Sequence, residues 1–350
     1  MMHKIDPAKL RACVTDIFLS LQIDANKAAL LADSLIMADL WGHSSHGVLR
    51  TRWYGKRIQS QVMVPEAEID ILTDTGPLLA LDGHNGIGQH ITNDAIQLVA
   101  NRAKKYGTAC ASICRSGHFG TAMYFTKMLA DQDMIGFLAT NASPAMAPYG
   151  GVDKMVGNNP QSWAAPTNSK APFIVDISHT AVARGKIYLA KDKKEAIPDH
   201  WALSKDGVPT TDPSEAIAGT LLPMAGHKGF GLSAMMDVLS GILSNSSFGT
   251  SVNGPYVPDQ PSGVGHFLFA IDIAKLRDIS AFKAHMDKMI TTWKQSQCAD
   301  GVNEIFYPGE KEYNHFQSTQ KNGLILPEGT LKDLFAYAGE CGLSITLANL

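Results

Sequence analysis

Nowhere in this 350-residue chain does a G-x-G-x-x-G follow a strand-like apolar run. The nearest approach, Gly86-Ile87-Gly88, lacks the third glycine at the right offset, and no P-loop is present. This absence constrains the fold more than any other feature. A doubly wound parallel sheet that carries a dinucleotide at its first turn needs those glycines for the tight turn and for close backbone approach to the pyrophosphate. A composition of 45% hydrophobic and 18% charged residues still demands a packed globular protein. The formal net charge of -3 offers no basic face to nucleic acid. No window approaches the roughly 18 apolar residues of a membrane span, and Met1 to Asp6 leads into an amphipathic pattern, not a secretory core. The five cysteines (Cys13, Cys110, Cys114, Cys298, Cys341) are odd in number and irregularly spaced, with no second Cys/His pair at zinc spacing. They predict a reducing, cytoplasmic setting with neither a disulfide framework nor a metal site.

Periodicity places the elements. Asp6-Pro7 opens a helix carrying Leu10, Val14, Phe18 and Leu21, and Asp24 caps a second with Ala28, Leu31, Leu35 and Met37 inward. A basic helix-like segment runs from Arg50 to Gln59. Leu78 to Leu81 reads as strand, Ile91 to Tyr106 as a helix ended by Gly107, Cys110 to Cys114 as strand, Ala122 to Asp133 as helix and Ile135 to Ala139 as buried strand. The Pro-, Gly- and Asn-rich stretch 144–172 predicts loop or short strand, and Phe173 to Asp176 another buried strand. A glycine-rich turn at 226–231 opens an apolar helix to Leu243. Then come a loop at 246–265, a strand from Phe267 to Asp272, a helix over 279–297 and two helical pieces near the end. No linker divides the chain, so two lobes would be interwoven.

Four constellations carry chemistry. Gly226-His227-Lys228-Gly229-Phe230-Gly231 precedes a helix, where free N–H groups and a lysine suit a pyrophosphate; a plain tight turn explains the glycines equally well. Ser45-His46-Gly47 with Arg50 joins a group that titrates near neutrality to a planar fork for a carboxylate, or is a capped helix start. Ser116-Gly117-His118-Phe119-Gly120 lies between a strand and a helix, where α/β enzymes place reactive groups, although a histidine capping a turn looks the same. Asp176-Ile177-Ser178 ends a strand and suits ribose hydroxyls, or caps a turn. Asn158-Asn159-Pro160 and Pro308-Gly309-Glu310 are turn chemistry on their residues alone.

Taken in order, these segments resemble one family, the type-2 malate/L-lactate dehydrogenases. The resemblance rests on Ala38-Asp39 with Gly42, Ser45 to Arg50, Gly117 to Ala122, Gly136 to Asn141, Ala147 to Gly151, Gly157 to Pro160, Asp176 to Ser178, Ala183 to Lys186, Ile197-Pro198 with Trp201, Pro209 to Pro213, Gly226 to Leu232 and Pro308 to Glu310. Arg115-Ser116 departs from the pair that relatives usually carry before Gly117-His118. The resemblance implies an α/β (α+β) chain with a non-Rossmann dinucleotide-binding fold. A mostly antiparallel central sheet (76–304) would bind the cofactor, and helices from both chain ends (1–75 plus 305–350) would form a substrate and dimer lobe. It further implies NAD or NADP as cofactor, a small carboxylate as substrate, and a homodimer. His118, Phe119, Gly120, Thr121, Ser143, Asn158, Asp176, Ile177, Ser178, His227, Lys228, Gly229, Pro308, Gly309 and Glu310 would touch the cofactor. Ser45, His46, Arg50 and His118 would form the catalytic set. The implied reaction moves hydride between the nicotinamide and C2 of a 2-hydroxy or 2-oxo acid of the malate, lactate, ureidoglycolate, sulfolactate or diketogulonate type. The alternatives are an NADPH-dependent reductase of cyclic imine 2-carboxylates, or a non-catalytic dinucleotide-binding homologue. Either histidine could move the proton; His118, beside the cofactor segment, is the expected direct donor, with His46 orienting the substrate.

Overall fold

The computed structural model describes residues 4–169 and 171–350. Helix starts follow the capping chemistry. Helix α1 (Pro7–Ser20) begins where Asp6 accepts the Ala8 N–H at 2.8 Å, with Pro7 in the first turn, and α2 (Ala25–Leu40) begins where Asp24 accepts from Asn26 and Lys27. Two 3₁₀ turns, Ser44–His46 and Val48–Arg50, lead into α3 (Thr51–Gln59). Helices α4 (Gly88–Tyr106), α5 (Met123–Ala130), α6 (Arg184–Lys193) and α7 (Pro213–Ala218) follow. Beyond them lie α8 (His227–Asp237, continued by a π turn at Val238–Ile242), α9 (Ile279–Lys294), α10 (Glu310–Asn322) and α11 (Glu328–Glu340). None of the described helices is long and apolar enough to cross a membrane.

The strands are β1 (Asp70–Asp74), β2 (Leu78–Asp82), β3 (Thr108–Cys114), β4 (Met134–Thr140), β5 (Pro144–Met146), β6 (Val156–Gly157), β7 (Gln161–Ala165), β8 (Phe173–Ile177), β9 (Ala202–Leu203), β10 (Thr220–Leu221) and β11 (His266–Asp272). The larger sheet runs β1-β2-β3-β11-β4-β7-β8, and the smaller runs β6-β5-β10-β9. Five pairings of the larger sheet are antiparallel and one, β2 with β3, is parallel. Strand β11 arrives late in the chain and inserts between β3 and β4, so the sheet closes only after most of the chain is in place.

Two strands differ from the sequence expectation, and helices α6 and α7 were not read from it. Residues 161–165, expected as loop or short strand, form β7 in the interior of the larger sheet. Gln-Ser-Trp-Ala-Ala has no β-branched residue, so local preference hides a strand that tertiary pairing imposes, and Ser162 is held by a buried 2.7 Å hydroxyl contact with Thr126 of α5. Residues 173–177, expected as a buried strand, are the sheet edge, and most of β8 is only half-buried.

One apolar core is drawn from both ends of the chain. It joins α1, α2 and α3 with Leu324, Leu331, Leu334 and Tyr337, while a second core lies between the larger sheet and helices α4 and α5. Met37 and Phe316 pack against both. The two chain ends meet most tightly where Gly55 of α3 faces the Tyr337 ring of α11, since a Cβ at 55 would overlap that ring. Both residues are fully enclosed, so the ring has no open space to move into. Gly55→Ala is therefore expected to lower stability by about 1–3 kcal/mol, the range for overpacking a full core. Gly329→Ala, in the open first turn of α11, should be neutral or slightly stabilising. Urea unfolding of both variants checks the contrast.

Candidate active site

The segment from Ala38 to Arg50 is shaped by a buried carboxylate. Asp39, on the inner face of α2 and 3% exposed, accepts the Val48 N–H at 2.8 Å. Gly42 (φ +84°) turns the chain out of α2, with the His43 N–H returning to the Ala38 carbonyl at 2.8 Å. Gly47 lies against the Asp39 carboxyl group, and any side chain there would overlap it. Asp39 and Gly47 thus hold both 3₁₀ turns, which present Ser45, His46 and Arg50. Burial pushes the Asp39 carboxyl up to about 7, partly offset by the Val48 amide.

Ser45, His46 and Arg50 line a cleft of about 750 Å³ together with His118, Phe119, Gly120, Ser143 and Asn158. The Arg50 Nε donates to the Ser45 carbonyl at 2.7 Å, and its guanidinium lies 4.2 Å over the Trp53 ring. Its terminal nitrogens have no hydrogen-bond partner among the described residues, which leaves the outer fork for an incoming carboxylate. The Ser45 hydroxyl is 2.8 Å from His46 Nδ1, and the His46 and His118 rings stack at 5.6 Å.

His118 follows β3 on a loop that backs onto the start of α4. Gly88 permits this, because a Cβ there would overlap the carbonyls of Gly117 and His118. The incomplete Gly86-Ile87-Gly88 motif therefore serves packing. The Gly120 N–H donates to His118 Nδ1 at 3.1 Å, and the Tyr54 hydroxyl is 2.6 Å from the same nitrogen. A nitrogen that accepts an amide N–H carries no proton, so Tyr54 must also donate and the neutral ring bears its hydrogen on Nε2. Burial, then the positive charge of Arg50, pushes His118 well below the usual histidine range, and the same causes bring His46 to about 3. Both rings are neutral near pH 7. Burial raises Tyr54 to about 12.

Ten of the expected cofactor residues lie outside this lining. Asp176 accepts from the Thr121 hydroxyl at 2.8 Å and from the Met123 N–H at 2.7 Å, and so caps α5. Ser178 is 3.3 Å from the Thr180 hydroxyl, next to Ile177 at the end of β8. Pro308-Gly309 borders the same edge, where the Ile174 N–H donates to the Pro308 carbonyl at 3.1 Å, and Glu310 pairs with Lys294. The glycine at 229 is required by the Met224 carbonyl beneath it, whereas His227 and Lys228 are exposed at the start of α8. The residues thus divide between the cleft, the β8 edge and the α8 start.

Several residues in or behind the cleft, Tyr54 being fully buried behind it, went unread in the sequence. Trp53 and Tyr54 follow Arg50 at i+3 and i+4, spacing that already puts all three on one helix face. Arg184 lay inside the family string Ala183 to Lys186 without being given a role, and Tyr188 and Tyr256 carried no comparable signal. Tyr256 belongs to a loop strapped to α3 by the buried Arg57, which donates to the Val257 carbonyl and, at 2.9 Å, to the Ser262 hydroxyl. A second cavity of about 780 Å³ near the α2 start contains none of the expected residues. There His90 Nε2 lies 2.8 Å from Glu68 and 3.4 Å from Asp94, and Lys27 already neutralises Glu68 at 2.6 Å.

Residues 5–335 match the family model described as malate/L-lactate dehydrogenase, and the chain belongs to that family. It is 34% identical over 342 residues to a malate/(S)-sulfolactate dehydrogenase of Methanothermus fervidus, covering 98% of this chain and 99% of that one. It is 35% identical over 288 residues to the NAD(+) ureidoglycolate dehydrogenase of Escherichia coli K12, covering 81% of each. The solved sulfolactate dehydrogenase from Methanocaldococcus jannaschii superimposes with a TM-score of 0.92 at 33% identity, covering 98% of both chains.

The raised Asp39 pKa has a consequence for stability. An acid whose folded pKa lies above its unfolded value stabilises the fold most when protonated, and that contribution fades as pH rises toward about 7. Relative to wild type, the neutral isostere Asp39→Asn should gain stability continuously between pH 5 and pH 8, by up to a few kcal/mol for a shift of this size. Chemical denaturation at the two pH values measures the difference.

Proposed function

We propose that this enzyme transfers hydride between a nicotinamide dinucleotide, NAD or NADP, and C2 of a small 2-hydroxy or 2-oxo acid. One observation carries the reading: an arginine fork and two neutral, stacked histidines converge in one cleft. The lining also fits a flat carboxamide-bearing ring, since Ser143, Asn158 and Thr180 supply polar groups beside the apolar Phe119, Leu221 and Val264. Once bound, the nicotinamide supplies or takes up the hydride. Arg50 then grips the substrate carboxylate through its two outer nitrogens. His118 donates its Nε2 proton to the developing alkoxide as the Tyr54 hydroxyl proton passes to Nδ1, so the ring stays neutral and the negative charge rests on the Tyr54 oxygen, eased by the charge of Arg50, until water reprotonates it. His46, tied to Ser45, orients the substrate. On oxidation the same path runs in reverse. The segments at Asp176 to Ser178, Pro308 to Glu310 and the α8 start receive the rest of the dinucleotide, with Lys228 free to meet a phosphate.

The two-lobed organisation, 1–75 plus 305–350 against 76–304, is supported by the core built from both chain ends. A homodimer is supported by the outer side of α8 and its π turn, where Leu232, Met235, Val238, Ile242 and Leu243 stay exposed, a patch that water disfavours. Five unpaired cysteines agree with a cytoplasmic setting.

His118→Ala should lower kcat about 10²–10⁴-fold, the usual range for a general acid. Tyr54→Phe should lower it about 10–100-fold, as for outer partners that fix a functional imidazole. Fluorescence titration should find cofactor affinity nearly unchanged in both. A kcat/KM limb between pH 6 and 8 that His46→Gln abolished would overturn the neutral-histidine mechanism. Introducing charge with Met235→Glu should shift the mass measured by light scattering from dimer to monomer; a wild-type monomer would refute the dimer.

A further inference from the structure

Behind the cleft lies an amide that the fold itself does not use. Gln89, in the first turn of α4, is fully buried, and neither its Nε2 nor its Oε1 has a hydrogen-bond partner among the described residues. It does not belong to the cleft lining, so it is not placed to touch a ligand. The neighbouring Gly88 is pressed against the carbonyls of Gly117 and His118, and a side-chain carbon at Gly120 would come to 3.8 Å from Gln89 Nε2. The amide therefore packs on the segment whose Gly120 N–H donates to His118 Nδ1. The other donor to that nitrogen is the Tyr54 hydroxyl. Burial raises the Tyr54 pKa, and Arg50 and then the Gln89 amide oppose that rise, yet the amide completes no hydrogen bond to the hydroxyl in this structure. A buried amide left unpaired is costly, and an apolar side chain of the same shape would avoid the cost.

The unpaired state is the resting one. When His118 gives its Nε2 proton to the developing alkoxide and takes the Tyr54 proton on Nδ1, the O–H bond of Tyr54 breaks and the negative charge stays on its oxygen. A donor that is unpaired beforehand gains its partner only as that charge appears. An interaction made in the transition state and not in the resting state lowers the barrier. We infer that Gln89 is a positioning residue for the proton transfer, its Nε2 amide donating to the Tyr54 oxygen as that oxygen becomes charged. Gln89 keeps both of its amide protons throughout. The inference rests on the proton route through His118 and Tyr54 proposed above. Arg50 eases the same charge, but a bound carboxylate offsets that help, whereas Gln89 carries no charge for a substrate to offset.

Gln89→Met keeps the length of the side chain and removes its donors. The assay uses the most active of malate, lactate, sulfolactate and ureidoglycolate with NAD or NADP, and follows nicotinamide absorbance through a single turnover. That rate should fall about 10–100-fold in Gln89→Met, as for loss of a hydrogen bond to a charged group, while the KM values of acid and cofactor change little. Urea unfolding should find the variant as stable as wild type or more so, since an apolar chain replaces an unpaired amide. A loss of stability with the full rate retained would make Gln89 a packing residue and overturn the inference. A double-mutant cycle with Tyr54→Phe supplies the readout that a packing role would not move. In the Tyr54→Phe background, adding Gln89→Met should change the rate by no more than about twofold, because the oxygen it serves is gone. Losses that multiply would overturn the inference and leave the proton route standing. A full rate in Tyr54→Phe alone would refute the proton route, and the inference with it.

Discussion

The contact between the Asp39 carboxyl group and the Val48 N–H, with Gly47 pressed against it, is the constraint on which the Ser45–Arg50 wall of the cleft depends. An acid in an apolar core is costly unless its oxygens are bonded, so it persists where it organises a backbone that cannot organise itself. Here the backbone is two consecutive 3₁₀ turns, poor in internal hydrogen bonds, on which Ser45, His46 and Arg50 are all carried. Arg50 is tied back to Ser45, so the fork and the first histidine move as one unit. The second histidine is fixed from another direction, by Gly120 and Tyr54, and Tyr54 sits on the helix that Arg50 begins.

Electrostatics then shape the chemistry. A pair of stacked imidazoles beside a guanidinium in a partly closed cleft cannot hold protons as cations, and both are driven neutral. The tautomer becomes the controlling variable in place of the charge, and two donors on Nδ1 set it. The same neutrality leaves the arginines as the only formal charges on the lining among the described residues.

Much of this was legible in the sequence. Asp6, Asp24 and Gly107 marked helix ends correctly because capping is local. The string from Ala38 to Glu310 identified the family, and it contains glycines whose place admits no side chain, as Gly47 and Gly157 illustrate. The Asp176 segment illustrates the limit: its carboxylate was read as a ribose ligand or as a cap of its own turn, and in the structure it caps α5, more than 50 positions earlier, which its sequence neighbours do not show. Strand β7 was hidden because, Trp163 apart, its residues have no strand preference of their own.

The sequence by itself determined the starts of α1 and α2 and the end of α4, the absence of a glycine-rich dinucleotide turn and the residue types of the candidate site, since each depends on neighbours a few positions away. Only the tertiary structure decided that β11 splits β3 from β4, that α3 packs on α11, and that Arg184 shares a cleft with an arginine 134 positions earlier in the chain. Those juxtapositions are settled by burial of apolar surface and by pairing of strand edges. Both are non-local energies that no window of sequence contains.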